Sequence, residues 1–254
     1  MKKAAALLPS SIRVLLPLLC LTLALASPAQ PRQGSIVYEK KLDVYRHMPK
    51  DDQNRAMIPQ FQTTVYELLF KDSISVYKAM PKDEAPDPFD NNSGGMHVIF
   101  RMTGPGDDGA FYRNYSSGRL LEETILADKK YIITDTIPQQ PWKLSDDTTT
   151  ILNHLCKKAT LTTPRGEKVV AWYTSDIPLP IGPDQFSGLP GAILQANIDE
   201  GSILISAKEI RSNVDNRELK APSGGHLISR ADYRKKRDEV FGPPDAQGRR
   251  IDRN

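Results

Sequence analysis

The stretch Trp172-Tyr173-Thr174-Ser175-Asp176-Ile177-Pro178-Leu179-Pro180-Ile181-Gly182-Pro183-Asp184-Gln185-Phe186-Ser187-Gly188-Leu189-Pro190-Gly191 leaves an apolar, strand-like run and enters a segment dense in proline and glycine. It returns to strand at Ala192-Ile193-Leu194. A connection this long inside a compact domain carries function or packs on itself as an Ω-loop. Pro178, Pro180, Pro183 and Pro190 each hold φ at about −65° and push the residue before them toward extended backbone. Leu189-Pro190-Gly191-Ala192 has the pattern of a type II turn, with proline second and glycine third, where φ is positive. Phe186 and Leu189 are too apolar for so stiff a loop to leave in water, so they are expected to anchor it to the domain body. Two readings stand: a structural plug closing one end of a sheet, or a binding surface.

Around this loop the chain reads as β. Ile36, Tyr38, Leu42 and Val44 alternate with polar residues, as do Tyr66, Leu68 and Phe70, and Lys71-Asp72-Ser73 reverses the chain into Ile74–Tyr77. Further strands are expected over Met96–Met102, Ala110–Tyr115, Arg119–Leu126, Lys130–Thr134, Leu152–Thr162 and Lys168–Tyr173. A hairpin follows from Ala192–Ile198 to Ser202–Lys208 across Asp199-Glu200-Gly201. A short helix is expected between Lys50 and Phe61. A second, C-terminal helix follows Ser229, where Ser229-Arg230-Ala231-Asp232 resembles a capping box and Gly242-Pro243-Pro244 ends the run. Met80–Gly95, rich in proline, Asp and Asn, is expected to be a mobile loop. The fold class expected is mainly β: a single domain of curved antiparallel sheet, an open half-barrel, with one or two short helices.

The motif residues also carry a resemblance. Ala171-Trp172-Tyr173-Thr174, Ile177-Pro178, Gly182-Pro183, Phe186 and Gly188-Leu189-Pro190-Gly191-Ala192-Ile193-Leu194, with Cys156-Lys157-Lys158-Ala159 upstream, resemble the signature of the GLPGLI family. Ala192 stands where that family typically has leucine. Ile58-Pro59-Gln60-Phe61 with Tyr66–Phe70 and Ser75-Val76-Tyr77, and the stretch from Pro222 to Tyr233, are similar to its N- and C-terminal patterns. The resemblance implies a secreted Bacteroidota-type protein without an established activity. By the company the family keeps, it also implies work alongside TonB-dependent outer-membrane transporters. Architecturally the half-barrel is expected to be similar to that of periplasmic lipoprotein carriers, an analogy of fold that does not establish function.

The chain opens with Met1-Lys2-Lys3 and Arg13 ahead of the apolar run Val14–Ala26, followed by small residues. That is the pattern of a secretory signal over residues 1–29, cleaved after Ala29 or Ala26, and not of a membrane span. Residues 30–242 are then the β domain and 243–254 a disordered polar tail. The formal charge is +3. The leader holds three basic residues and no acid, so the remaining chain is neutral, without the basic footprint that nucleic-acid binding requires. After cleavage Cys156 is the single cysteine, so no internal disulfide can form. Lys157 and Lys158 beside it would lower a thiol pKa, but a buried small hydrophobe on a strand is the favoured reading.

No catalytic motif stands out. His47, His97, His154 and His226 lie far apart without metal-ligand spacing, and no G-x-S-x-G elbow, P-loop, dinucleotide fingerprint or H-E-x-x-H is present. Glu122 and Glu123 are adjacent on a strand and must face opposite sides. Asp176 and Asp184 share the central loop and could position a cation or a partner lysine. No cofactor and no metal are expected.

The function expected is a non-catalytic periplasmic or outer-membrane-associated binding or accessory protein. Its curved sheet would hold an apolar small molecule, a lipid or a partner segment, with an outer-membrane transporter or another envelope protein as partner. Trp172, Tyr173, Ile177, Pro178, Phe186, Leu189 and Pro190 are the candidate binding residues, and Gly182, Pro183, Gly188, Gly191 and Cys156 the structural ones. A hydrolase with a nonlocal site using Cys156 or His154, and a purely structural envelope protein, are the alternatives.

Overall fold

Two meanders meet on one central strand. The computed structural model describes residues 32–48, 53–80 and 109–242, and all its elements belong to one unit within Pro31–Asn254. The expected signal at 1–29, the loop beyond Met80, the strand Met96–Met102, His97 and the tail at 243–254 lie outside the described residues. β1 (Gln33–Asp43) pairs antiparallel with β2 (Phe61–Lys71) on one side. From there β3 (Ile74–Ala79), β4 (Ala110–Asn114), β5 (Arg119–Leu126) and β6 (Lys129–Thr136) follow as consecutive neighbours. On its other side β1 pairs with β11 (Ile203–Arg211), beyond which lie β10 (Ala192–Ile198), β9 (Lys168–Thr174), β8 (His154–Thr162) and β7 (Lys143–Ile151). A short β12 (His226–Ser229) adds to β6 and leads into α1 (Arg230–Phe241). Among the described residues the result is one open, curved sheet of 12 strands.

Chain geometry explains the curl. In the sheet order β6 and β7 are ten strand-to-strand steps apart, yet only residues 137–142 join them. Flat, ten steps would separate them by roughly 48 Å, whereas the seven Cα–Cα links from Thr136 to Lys143 reach about 25 Å at most. The ends must therefore bend toward each other. Bulges help: the register shifts at Val37/Tyr38 in β1 and at Ile193/Gln195 in β10, and bulges bend and twist the strands that hold them.

Alternation divides the side chains between the two faces. Ile36, Leu68, Tyr77, Phe111, Glu122 and Ile133 are cross-strand partners in one continuous inner row. Tyr38 and Tyr66 pair one step along, and the Tyr66 and Tyr77 rings stack at 5.0 Å. This inner face forms the main core with Phe70, Tyr173, Ile177, Ile181, Phe186 and Leu189. The outer face has a smaller cluster, Leu69, Val76, Tyr112, Leu121 and Ile132, covered by Leu219 of the connection between β11 and β12. Lys71 holds that connection through Asn216 at 3.0 Å, and Lys78 through Glu218.

The strands and helices depart from the sequence reading in three places. The strand expected over Leu152–Thr162 starts at His154, because Leu152 and Asn153 turn with φ of 50° and 64° and a further strand, β7, precedes them. The sheet is not wholly antiparallel, since β12 runs parallel to β6. The expected helix before Phe61 is a 3-10 helix at Gln53–Met57, with another at Val44–His47. The C-terminal helix forms as its cap dictates: Ser229 Oγ accepts the Asp232 N–H at 3.1 Å, and Gly242 follows with φ of 74°.

Glu122 and Glu123 face opposite sides as alternation requires, with different partners. Glu122 is buried and takes Arg230 Nη1 at 2.6 Å, while Arg230 Nε reaches Asp135 at 3.0 Å. Glu123 pairs with Lys130 at 2.9 Å, nearer the surface. Arg230→Ala removes the cation bonded to buried Glu122, the strongly destabilising way to break such a pair. Because Arg230 itself is only partly buried, the expected loss is about 2–3 kcal/mol in urea denaturation. The double variant Glu122→Leu/Arg230→Met is expected to recover most of it.

Candidate functional site

The proline-rich loop lies on the inner face and is held down at every turn. Leu179 N–H donates to Ile177 O (2.8 Å) across Pro178, Ile181 N–H to Leu179 O (2.7 Å) across Pro180, and Gly191 N–H to Leu189 O (2.8 Å) across Pro190. These are three-residue turns, each centred on a residue whose ring already holds φ near the value required. Phe186 N–H donates to Pro183 O (3.0 Å) around Asp184, which takes φ of 53°, a conformation Asp tolerates better than most residues. Ala192 N–H then closes onto Ile177 O and Ile193 N–H onto Ile181 O, both at 3.0 Å.

The expected type II turn over Leu189–Ala192 therefore does not form. Its defining donor, the Ala192 N–H, is taken by Ile177 across the loop, leaving the tighter turn on Pro190. Gly191 is required for a different reason. Its φ is 158°, and a Cβ there would lie 2.0 Å from the Thr174 carbonyl oxygen. Gly188, with φ of 89°, has open space around it. Gly182 and Pro183 are buried, and a Cβ on Gly182 would meet Phe186 O at 2.6 Å.

A second segment clamps the first. The strap at 137–142 donates Trp142 Nε1–H to Ser187 O (2.9 Å) and Gln140 Nε2–H to Gln185 O (3.2 Å), and Gln140 Oε1 accepts Ser187 N–H (2.9 Å). The Trp142 ring lies 6.2 Å from Phe186. Its backbone repeats the device, with Trp142 N–H bonded to Gln140 O across Pro141. Below, Tyr38 donates its hydroxyl to Ile193 O at 2.5 Å, and burial pushes that phenol well above its usual pKa, so it stays a donor.

The candidate residues divide by this geometry. Tyr173, Ile177, Phe186 and Leu189 are buried in the core, while Pro178 and Pro190 are exposed at the tips. Trp172 alternates with Tyr173, faces the other side of β9 and is half-buried. Asp184 meets a lysine of its own chain, Lys40, at 3.3 Å, and its carbonyl accepts from Arg113. Asp176 meets His154 Nδ1 at 2.7 Å. Cys156 is wholly buried, and burial pushes its thiol up to about 11, so it is a protonated core residue. Sequence reasoning missed Tyr38, Lys40, Arg113, Gln140 and Trp142. The one available signal was Arg113 at the same strand parity as Phe111, a charge where an inward apolar residue is due.

Residues 162–195, from the end of β8 through the loop into β10, match the model of a family described as Porph_ging, protein of unknown function. No curated protein sequence matches the chain at a significant level. Two crystal forms of PNGF-II have a similar fold, with TM-scores of 0.55 and 0.56 at 13% identity. The alignments cover 82% and 83% of this chain but 33% and 34% of PNGF-II, so the chain spans about a third of that protein. An uncharacterized conserved protein from Thermus thermophilus aligns over 79% of this chain and 91% of its own, at 7% identity and a TM-score of 0.41.

Stability, exchange and alkylation measurements check the site. Gly191→Val forces the β9–β10 junction apart and is expected to lower stability by about 3 kcal/mol or more and to expose the loop to hydrogen exchange. Gly188→Ala meets no atom and is expected to lose only about 1–2 kcal/mol, for its φ alone. Cys156 is expected to resist iodoacetamide at pH 8 until the protein unfolds. Because its folded pKa is raised, its contribution to stability is constant below about pH 9, the ordinary thiol range, and falls as pH rises toward 11.

Proposed function

We propose that the chain is a GLPGLI-type exported envelope protein that binds rather than transforms, acting in the periplasm or at the outer membrane alongside TonB-dependent transport. One observation supports the binding part of this reading: the loop is stiffened by three proline-centred turns, anchored by buried Ile177, Ile181, Phe186 and Leu189, and presents Pro178, Gln185 and Pro190 to solvent. A surface already ordered loses little entropy on binding, which is the advantage of preorganisation. Of the two occupants considered for the curved sheet, a partner segment fits better than an apolar small molecule or lipid. The loop's own side chains already cover the tyrosine-lined inner face.

The hydrolase alternative has one observation in its favour, the His154–Asp176 contact at 2.7 Å. Against it, the thiol closest in sequence, Cys156, is buried and held protonated. Native mass spectrometry of the protein purified from its own periplasm, with and without prior cross-linking, tests the proposal. A bound polypeptide is the expected result, and a bare monomer under both conditions overturns it.

A further inference from the structure

Arg113 is the largest fully buried side chain in the described structure, 1% exposed, at the middle of a cross-strand row between Ser75 and Leu120. A guanidinium has five N–H donors and stays charged at any pH the protein meets. Taking it out of water is costly unless those donors and that charge are answered. Here they are answered only in part. Nη2 donates to the Asp184 carbonyl, and the guanidinium carbon lies 5.2 Å from the Phe111 ring centre. Nη1 is buried with no hydrogen-bond partner among the described residues. The Asp184 carboxylate does not turn to Arg113 but pairs with Lys40, so two cations converge on one acid from β1 and β4. A second buried donor without a partner, Ser187 Oγ, belongs to the same stretch of loop.

The loop's conformation produces this arrangement. Asp184 adopts φ of 53° within the Pro183–Phe186 turn. The strap at 137–142 fixes the turn from the far side through Gln185 and Ser187. A lone arginine needed merely to hold the turn down could do so with one donor from the surface. This one is sunk into the inner face with an open donor.

We propose that the inner face beneath the Pro183–Phe186 turn is a binding site for a small oxyanion, a carboxylate or phosphate-type group, received by Nη1 of Arg113. Both kinds of anion are strong acceptors for a guanidinium N–H, because the bond to an ionised oxygen is charge-assisted. The burial of the site restricts it to small anions or to the tip of a larger acidic molecule that displaces the turn. This site stands apart from the partner-binding reading, since it lies under the loop and not on its exposed tips.

The test is thermal unfolding of the full mature protein in sodium formate, sodium acetate or sodium phosphate, each against sodium chloride at equal ionic strength. A saturable rise in Tm is expected with formate or acetate if the site takes carboxylates, or with phosphate if it takes tetrahedral anions. It should reach about 5–10 °C at a hundredfold excess over Kd, and Arg113→Lys should abolish or sharply weaken it. An equal rise in chloride, no rise in any oxyanion, or a rise that survives Arg113→Lys overturns the proposal. Should that variant fail to fold, a crystal of the unaltered protein grown in chloride and moved to the most effective anion decides the case. Density for the anion on Nη1 together with the saturable shift supports the site. A water there, or an anion without the shift and so bound at crystal concentration only, overturns it.

Discussion

The pairing of β1 with both β2 and β11 is the constraint on which the architecture depends. Without it there are two separate antiparallel meanders, each with an open edge and one face without cover. With it their inner faces become one continuous apolar surface. The partners are close in space and far apart in sequence: Ile36 meets Leu68 on one side and Ile210 on the other. Closing such a loop costs conformational entropy that the local hairpins do not incur. It is offset by the aromatic density of the seam, where Tyr38, Tyr66 and Tyr77 are each essentially buried. The hydroxyl of Tyr38 adds a bond to Ile193 O, and both residues sit at bulges, so the same contact that joins the halves lies where the sheet bends.

Curvature then makes the proline loop useful. A flat sheet has no need of a plug. A curled one has a concave face that must be filled by ligand, partner or its own chain, and here Ile177, Ile181, Phe186 and Leu189 fill it. The short strap between β6 and β7 serves both purposes, since its length forces the ends of the sheet together and Trp142 and Gln140 grip the plug as it crosses. Prolines centre the turns in both segments because a tight i→i+2 turn uses the φ that proline cannot leave, and the proline has no N–H to strand.

Strongly alternating stretches could be read directly from the chain. The segments from Ile36, Tyr66 and Ile74 are strands for the reason the pattern suggests, and the Ser229 cap starts its helix where expected. What escaped notice was structure without that pattern. Ser145-Asp146-Asp147-Thr148-Thr149-Thr150 in β7 is polar on both faces because an edge strand there has no core to meet. β12 is four residues long and leans on β6 for its existence. In the loop, proline content indicated rigidity and the apolar residues indicated anchoring. The turn at Gly191 was misassigned because local statistics cannot know that Ile177 will take the Ala192 N–H.

By itself, the sequence determined which segments are extended, where the chain stiffens and that Phe186 and Leu189 must go inside, since these follow from side-chain periodicity, ring-locked φ and the transfer of apolar groups from water. Only the tertiary structure decided which strands lie side by side, that the Thr174 carbonyl leaves Gly191 no room for a side chain, and that Arg113 ends beneath Asp184 with one donor open. Those outcomes depend on contacts between residues well separated along the chain, 71 positions in the case of Arg113 and Asp184, and no local preference for φ or for burial encodes a distance across a sheet.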